Sequence, residues 1–132
     1  QVLLPLINSP VFSILLDTVN GTINNSLIEL SDDYAVTVVL AAKGYPKKYK
    51  KNMKISGLDK LSNEIIFHAG TIFDNGQYYS SGGRVLNVVG KDNQLSIARD
   101  KAYNIIEKID FDEKYYRKDI GNKGIKTQSI IW

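Results

Sequence analysis

The chain has 132 residues, 43% of them hydrophobic and 23% charged, which is typical of one globular domain with a real core. It contains no cysteine, which excludes a disulfide framework and a zinc site with thiolate ligands. The formal net charge of +3 is too small to indicate a nucleic-acid-binding domain, and the apolar start at residues 1–7 is too short to span a bilayer and lacks the features of a signal peptide.

The first predicted element is a helix that begins at Ser9 and Pro10 and ends at Gly21. Serine is a favoured N-cap, proline suits the first helical position, and glycine is a common stop. The apolar face of this helix consists of Val11, Phe12, Leu15, Leu16 and Val19. A polar connection follows, so we expect a boundary near residues 22–26, with the first segment either belonging to a preceding domain or packing as an arm. The start at Gln1 instead of methionine also favours a piece cut from a longer protein.

Residues 34–42 are nearly all apolar and rich in branched side chains, which predicts a strand covered on both faces. Gly44, Tyr45 and Pro46 break this strand. A run of lysines follows and has no helical apolar face, so we expect a loop; its members are Lys47, Lys48, Lys50, Lys51 and Lys54. Residues 54–57 are compatible with a short strand and turn.

Residues 64–73 predict the next strand, and Asn75-Gly76 is a strong signal for a tight hairpin turn. Residues 77–80 return from that turn. Gly82-Gly83 then lets the chain bend sharply or approach another group closely. Residues 84–89 predict a third clear strand.

The long helix is predicted to be capped by Asp92 and to end near Ile109, because apolar residues recur at helical spacing between them. We expect a last helical turn from Asp112 that includes Tyr115 and Tyr116. The tail from Gly121 has no period and starts no visible new domain, which favours a monofunctional parent protein. These elements predict an α+β fold, in which the long helix packs on an antiparallel, barrel-like sheet.

The turn Gly82-Gly83-Arg84 is a candidate anion site, because two glycines expose backbone N–H groups and arginine offers a planar fork for phosphate or carboxylate. The alternative is a β-bulge with an arginine in solvent. The turn is not a Walker loop, since the lysine and the hydroxyl residue that would follow are missing.

His68 is the only histidine, so it cannot build a typical zinc site by itself. A structural strand histidine is the plainer interpretation. It nevertheless stands in an unusual run with Ala69, Gly70 and Thr71, where Gly70 weakens the strand and makes a close backbone approach plausible.

The lysine run, with Tyr45 and Tyr49, could bind nucleic acid through phosphate contacts and base stacking, but such a run is more often a solvated loop. The spacing of the acidic residues near the C-terminus matches no calcium loop. From the residues alone, the prediction is an α+β domain with a possible anion-binding turn.

Five segments, in order, resemble the C-terminal domain of the glycinamide ribonucleotide synthetase family. They are residues 38–46 (VVLAAKGYP), 57–59 (GLD), 67–71 (FHAGT), 81–88 (SGGRVLNV) and 116–121 (YRKDIG). The start QVLLPL is similar to the family's run just after its metal-binding stretch. Two departures are Lys43, where the family more often has a small residue, and Ser80, where threonine is common.

The resemblance implies a cytoplasmic ATP-grasp ligase of purine biosynthesis that joins glycine to 5-phosphoribosylamine with ATP and Mg²⁺ or Mn²⁺. Its metal ligands and most of its ATP cleft would lie upstream of Gln1, so this piece would bind neither cofactor and would be inactive alone. Residues 1–25 would end the ATP-grasp domain, and residues 26–132 would close over the cleft.

The positions that match the family's substrate-facing segments are His68, Ala69, Gly70, Thr71, Gly82, Gly83 and Arg84. Arg84 is the expected ligand of the substrate phosphate, with His68 or Thr71 orienting the amine or glycine. A rival from another class is a stand-alone anion- or nucleic-acid-binding module that uses the lysine run and the Gly-Gly-Arg turn. No membrane partner is expected, and the mild charge argues against nucleic acid.

Overall fold

Two antiparallel sheets organise the computed structural model, which describes residues 1–23 and 28–128. Their strands are β1 (Tyr34–Ala42), β2 (Lys54–Ile55), β3 (Ile65–His68), β4 (Thr71–Asp74), β5 (Gln77–Ser80), β6 (Arg84–Asp92) and β7 (Lys114–Tyr115). The helices are α1 (Val11–Asn20), α2 (Leu95–Lys108) and α3 (Asn122–Gln128). The fold is therefore α+β, as the sequence predicts.

The larger sheet has the strand order β3-β6-β1-β7, and the smaller has the order β2-β5-β4. Antiparallel pairing of β1 with β6 runs from Tyr34 opposite Asp92 to Ala41 opposite Arg84, with a register shift after Leu40. The described strands form two open sheets, so the barrel-like arrangement is not confirmed.

The core lies between the larger sheet and α2, whose periodic apolar face is buried as predicted. Its buried members on α2 are Ala98, Ala102, Ile105 and Ile106. On the sheet they meet alternate residues of β1 and residues of β6, among them Val38, Leu40, Leu86 and Val88. Gly90 of β6 allows α2 to approach the sheet closely. Any other residue would place a Cβ that overlaps the Ala98 carbonyl.

The helix starts and stops differ from the prediction in two places. Ser9 does not cap α1: its hydroxyl oxygen accepts a hydrogen bond from the Glu29 amide at 2.8 Å, which ties the N-terminal arm to residues 28–31. Asp92 does not cap α2, because β6 continues through Asp92 by pairing with Tyr34, and the helix begins only at Leu95.

Two other predictions are corrected by pairing between distant segments. The single strand expected at residues 64–73 is two strands, β3 and β4, which belong to different sheets. The helical turn expected from Asp112 is replaced by strand β7, because Lys114 and Tyr115 pair with the end of β1. The tail from Gly121, in which the sequence shows no period, includes helix α3, where Gly124 lies against Leu95 of α2.

Lys47, Lys48, Lys50 and Lys51 lie in a loop between β1 and β2, as predicted, and Lys54 begins β2. The boundary expected near residues 22–26 falls largely on residues 24–27, which lie outside the described part of the chain. Among the described residues, no helix has the length and apolar character needed to cross a membrane.

Candidate functional site

The two segments singled out in the sequence lie side by side, held together by backbone hydrogen bonds. The Gly70 amide donates to the Arg84 carbonyl, and the Ser81 amide donates to the Gly70 carbonyl, both at 2.8 Å. A Cβ on Gly70 would lie 2.6 Å from the Gly82 Cα, so the approach requires glycine. The structure therefore brings residues 68–71 against the Gly-Gly-Arg turn.

The loop after β1 joins the same site through Tyr45. A Cβ on Gly83 would overlap the Tyr45 ring, and the Ala42 amide donates to the Gly83 carbonyl at 2.8 Å. Tyr45 in turn meets Tyr49 edge-on, with ring centroids 5.9 Å apart. Sequence reasoning placed Tyr45 only in the lysine loop, because no local pattern connects it with a turn that lies 38 positions further along the chain.

Arg84 is exposed at the start of β6. Its side chain makes no hydrogen bond or ion pair with residues 1–23 or 28–128. It lines a cavity of about 280 Å³ whose other walls include Tyr45 and Tyr115. A planar guanidinium can bind phosphate or carboxylate oxygens in a paired geometry. The adjoining glycines are not free backbone, because the Gly82 amide donates to the Gly70 carbonyl at 3.3 Å and Gly83 is buried against the Tyr45 ring.

His68 is exposed at the end of β3 but rests on an aromatic ring. Its Nδ1 atom lies 2.9 Å from the Thr71 hydroxyl, and its ring centroid lies 4.5 Å from that of Tyr78. Partial burial lowers the pKa of His68 below its usual 6.5, so the imidazole is neutral at physiological pH. A neutral imidazole held by a hydroxyl can accept or donate one directed hydrogen bond at the surface.

The lysine loop is exposed and only partly neutralised. Lys50 pairs with Asp112, and this hydrogen bond lowers the pKa of the Asp112 carboxyl. The Lys51 ammonium lies 5.9 Å from the centre of the Tyr49 ring. Tyr49 also meets Tyr45, whose ring lies against Gly83.

The acidic residues near the C-terminus do not converge. Asp119 pairs with Arg117, Asp112 with Lys50, and Asp110 with Lys114, so these three carboxylates face three different cations. Within residues 1–23 and 28–128, no three carboxylate or histidine side chains are grouped so that they could hold a metal ion.

The fold and the site together define an α+β domain that presents a glycine-rich turn, an available arginine and a neutral histidine on one surface. Residues 35–123 match the sequence profile of the phosphoribosylglycinamide synthetase C domain. The chain belongs to this family.

The similar proteins carry consistent names. A phosphoribosylamine–glycine ligase from Caldanaerobacter subterraneus is 42% identical over 120 residues, which cover 91% of this chain and 29% of that protein. A ligase of the same name from Corynebacterium ammoniagenes is 43% identical over 122 residues, which cover 92% of this chain and 29% of that protein. A bifunctional purine biosynthetic protein from Dictyostelium discoideum is 41% identical over 129 residues, which cover 95% of this chain and 16% of that protein.

A solved structure supports the fold. The crystal structure of phosphoribosylamine–glycine ligase from Thermotoga maritima matches with a TM-score of 0.66 and 34% identity, over 80% of this chain and 27% of that one. The chain thus spans less than a third of the length of these relatives, and it corresponds to one domain of a longer protein.

Proposed function

We propose that this chain is the C-terminal part of an ATP-dependent ligase that joins glycine to 5-phosphoribosylamine in purine biosynthesis. Family membership and the names of relatives 41–43% identical support this activity. The proposal includes a cytoplasmic location. It also assigns ATP and Mg²⁺ to an upstream ATP-grasp portion, which would supply the nucleotide cleft and the metal ligands.

Within that enzyme, Arg84 would bind the phosphate of 5-phosphoribosylamine. The observation that carries this assignment is the exposed guanidinium beside a turn too tight for any side chain at Gly83. A doubly charged phosphate and a planar guanidinium form paired, charge-assisted hydrogen bonds. His68 or Thr71, on the adjoining segment, would orient the amine or the glycine.

Arg84→Ala in the full-length enzyme tests the assignment. A hydrogen bond to a charged group contributes about 1.5–3 kcal/mol, so we expect the Michaelis constant for 5-phosphoribosylamine to rise about ten- to hundredfold. The Michaelis constants for glycine and ATP should change far less. Arg84→Lys keeps the charge but loses the planar fork, so its Michaelis constant for 5-phosphoribosylamine should lie between those of the wild type and Arg84→Ala. Lys126→Ala, which removes a remote exposed cation on α3, should match the wild type. An unchanged constant for the phosphoribosyl substrate in Arg84→Ala would refute the role.

We also propose that residues 1–25 complete the preceding ATP-grasp domain and that residues 26–132 form the domain that closes over its cleft. The support is α1, which has no buried residue and keeps its apolar side chains in solvent. An amphipathic helix with an uncovered apolar face is expected to pack on another part of the protein.

A further inference from the structure

The Gly-Gly-Arg turn is attached to the end of β1 by backbone pairing and by the ring of Tyr45. In the strand pairing, Arg84 lies opposite Ala41. The Ala42 amide donates a hydrogen bond to the Gly83 carbonyl at 2.8 Å. Backbone hydrogen bonds of this kind do not depend on the side chain, so the Tyr45 ring is the part of the attachment that the sequence specifies.

The Tyr45 ring occupies the space that a side chain at position 83 would fill. A Cβ on Gly83 would overlap the ring atoms Cγ, Cδ2 and Cε2 of Tyr45. Gly83 is buried, and the ring is part of what covers it. The Tyr45 amide donates to the Ala42 carbonyl at 3.1 Å, and the turn that this bond closes brings the ring back beside the end of β1. A change of either partner, the ring or the glycine, therefore requires the turn to move.

The contact with Gly83 belongs to the ring of Tyr45 and not to its hydroxyl. Tyr49 supports the ring edge-on, with centroids 5.9 Å apart. The Tyr45 hydroxyl makes no hydrogen bond with residues 1–23 or 28–128, and the residue is 42% exposed. Phenylalanine would therefore keep the contact, whereas alanine would remove it.

Arg84 depends on this contact because no polar partner among the described residues holds its side chain. The direction of its guanidinium therefore follows from the placement of its backbone and from the walls beside it. Tyr45 is one of those walls, since both residues line the cavity of about 280 Å³. Phosphate recognition by a planar guanidinium is directional, and a displacement of about 1 Å in a binding group can cost about a hundredfold in rate.

We propose that Tyr45 is a positioning residue, whose ring fixes Gly83 and thereby aims the Arg84 guanidinium at the substrate phosphate. This role rests on the proposed function, because it requires Arg84 to bind 5-phosphoribosylamine. Tyr45 acts through the turn and makes no contact with the substrate itself. Its removal therefore weakens the use of the phosphoribosyl substrate and leaves the use of glycine and ATP almost unchanged.

A double-mutant cycle in the full-length enzyme tests the role, because it separates action through Arg84 from action beside it. We expect Tyr45→Ala to raise the Michaelis constant for 5-phosphoribosylamine about five- to tenfold, with a catalytic rate within about twofold of the wild type. In the Arg84→Ala enzyme, the same substitution should change that constant by less than about twofold, since the group that Tyr45 positions is already gone. Tyr45→Phe keeps the ring and should retain the wild-type constant.

Tyr34→Ala is the matched control for the loss of an exposed tyrosine. Tyr34 is 40% exposed, close to the 42% of Tyr45, and it lies at the opposite end of β1. Its removal should leave the Michaelis constant for 5-phosphoribosylamine at the wild-type value. Where Tyr45→Ala does not fold, Tyr45→Leu replaces the flat ring with a branched apolar side chain, and we expect the same selective rise.

An unchanged Michaelis constant in Tyr45→Ala would overturn the positioning role. An equal rise in the wild-type and Arg84→Ala backgrounds would do so too, since the ring would then act independently of the arginine. A rise that is matched for glycine and ATP would also overturn it, because that is the pattern of a general loss of structure. These three outcomes leave the assignment of Arg84 intact. An unchanged constant in Arg84→Ala itself would instead refute the substrate assignment, and the positioning role with it.

Discussion

His68 shows how a residue with a plain structural interpretation acquires a possible role from its neighbours. Its Nδ1 atom lies 2.9 Å from the Thr71 hydroxyl, three positions further along the chain, on the segment that adjoins the Gly-Gly-Arg turn. The contact holds the imidazole in one orientation at an exposed surface. Such an orientation is what a group that positions a substrate amine requires.

We expect His68→Ala in the full-length enzyme to lower the catalytic rate about tenfold or more, as for the loss of a hydrogen bond of about 1.4 kcal/mol. Thr71→Ser keeps the hydroxyl and should retain most of the rate. The lowered pKa of His68 means that the neutral form persists below pH 6.5, so the wild-type rate should fall only on further acidification. The pH profile of the rate checks this: Tyr78→Leu, which exposes the ring, should move the acid limb to higher pH. An unchanged rate in His68→Ala would contradict the role.

The same shift has a consequence for stability. The folded pKa lies below the unfolded value of 6.5, so the unfolded chain binds more protons between the two values. The contribution of a neutral His68 to stability is therefore fully present above pH 6.5 and decreases as the pH falls through the folded pKa.

At the scale of elements, α2 and its contact with the sheet were predictable because both follow from periodicity. Ala98, Ala102 and Ile106 recur at helical spacing and are fully buried, and β1 shows the continuous apolar character of a core strand. The close approach of the helix at Gly90 was not predictable, since it depends on which helix residue faces which strand residue.

Elements defined by distant pairing were not predictable from local sequence. β7 consists of two residues that become a strand only because they pair with Ala41 and Ala42, on the edge of β1 opposite β6. The break between β3 and β4 exists because Gly70 packs on Gly82, a contact between segments with no common local pattern. For the site, the residue types of both segments were indicated by the sequence, but their adjacency and the contact with Tyr45 required the fold.

The packing of α2 makes a quantitative prediction for this element. Ile106→Ala removes a side chain with no exposed surface and leaves a cavity, so we expect it to lower the free energy of unfolding by about 2–5 kcal/mol. Ile97→Ala makes the same chemical change on the same helix at a position that is 38% exposed, and should change stability by about 0.5 kcal/mol or less. Urea denaturation of both variants measures the difference. Equal losses in the free energy of unfolding would contradict the placement of the core.

At the scale of the whole molecule, the described residues present more apolar surface than one domain needs. The apolar side chains of α1 include Phe12, Leu15 and Val19, which are 76%, 60% and 84% exposed. An exposed apolar helix face of this kind marks an interaction site, which fits a domain that is one part of a longer protein.

The double substitution Leu15→Gln and Val19→Gln separates a helix that packs on the upstream portion from one that remains in solvent. In the 132-residue chain both side chains are exposed, so the double variant should unfold at nearly the wild-type urea concentration. In the full-length enzyme the same side chains would be buried, and polar replacements there should cost about 3–6 kcal/mol in total, since burial of each leucine or valine contributes about 1.5–3 kcal/mol. Ser13→Gln, an exposed polar position on the same helix, should be neutral at both lengths. The two lengths would respond alike only if α1 stays uncovered in the complete enzyme, because a surface that meets no partner loses nothing when it becomes polar.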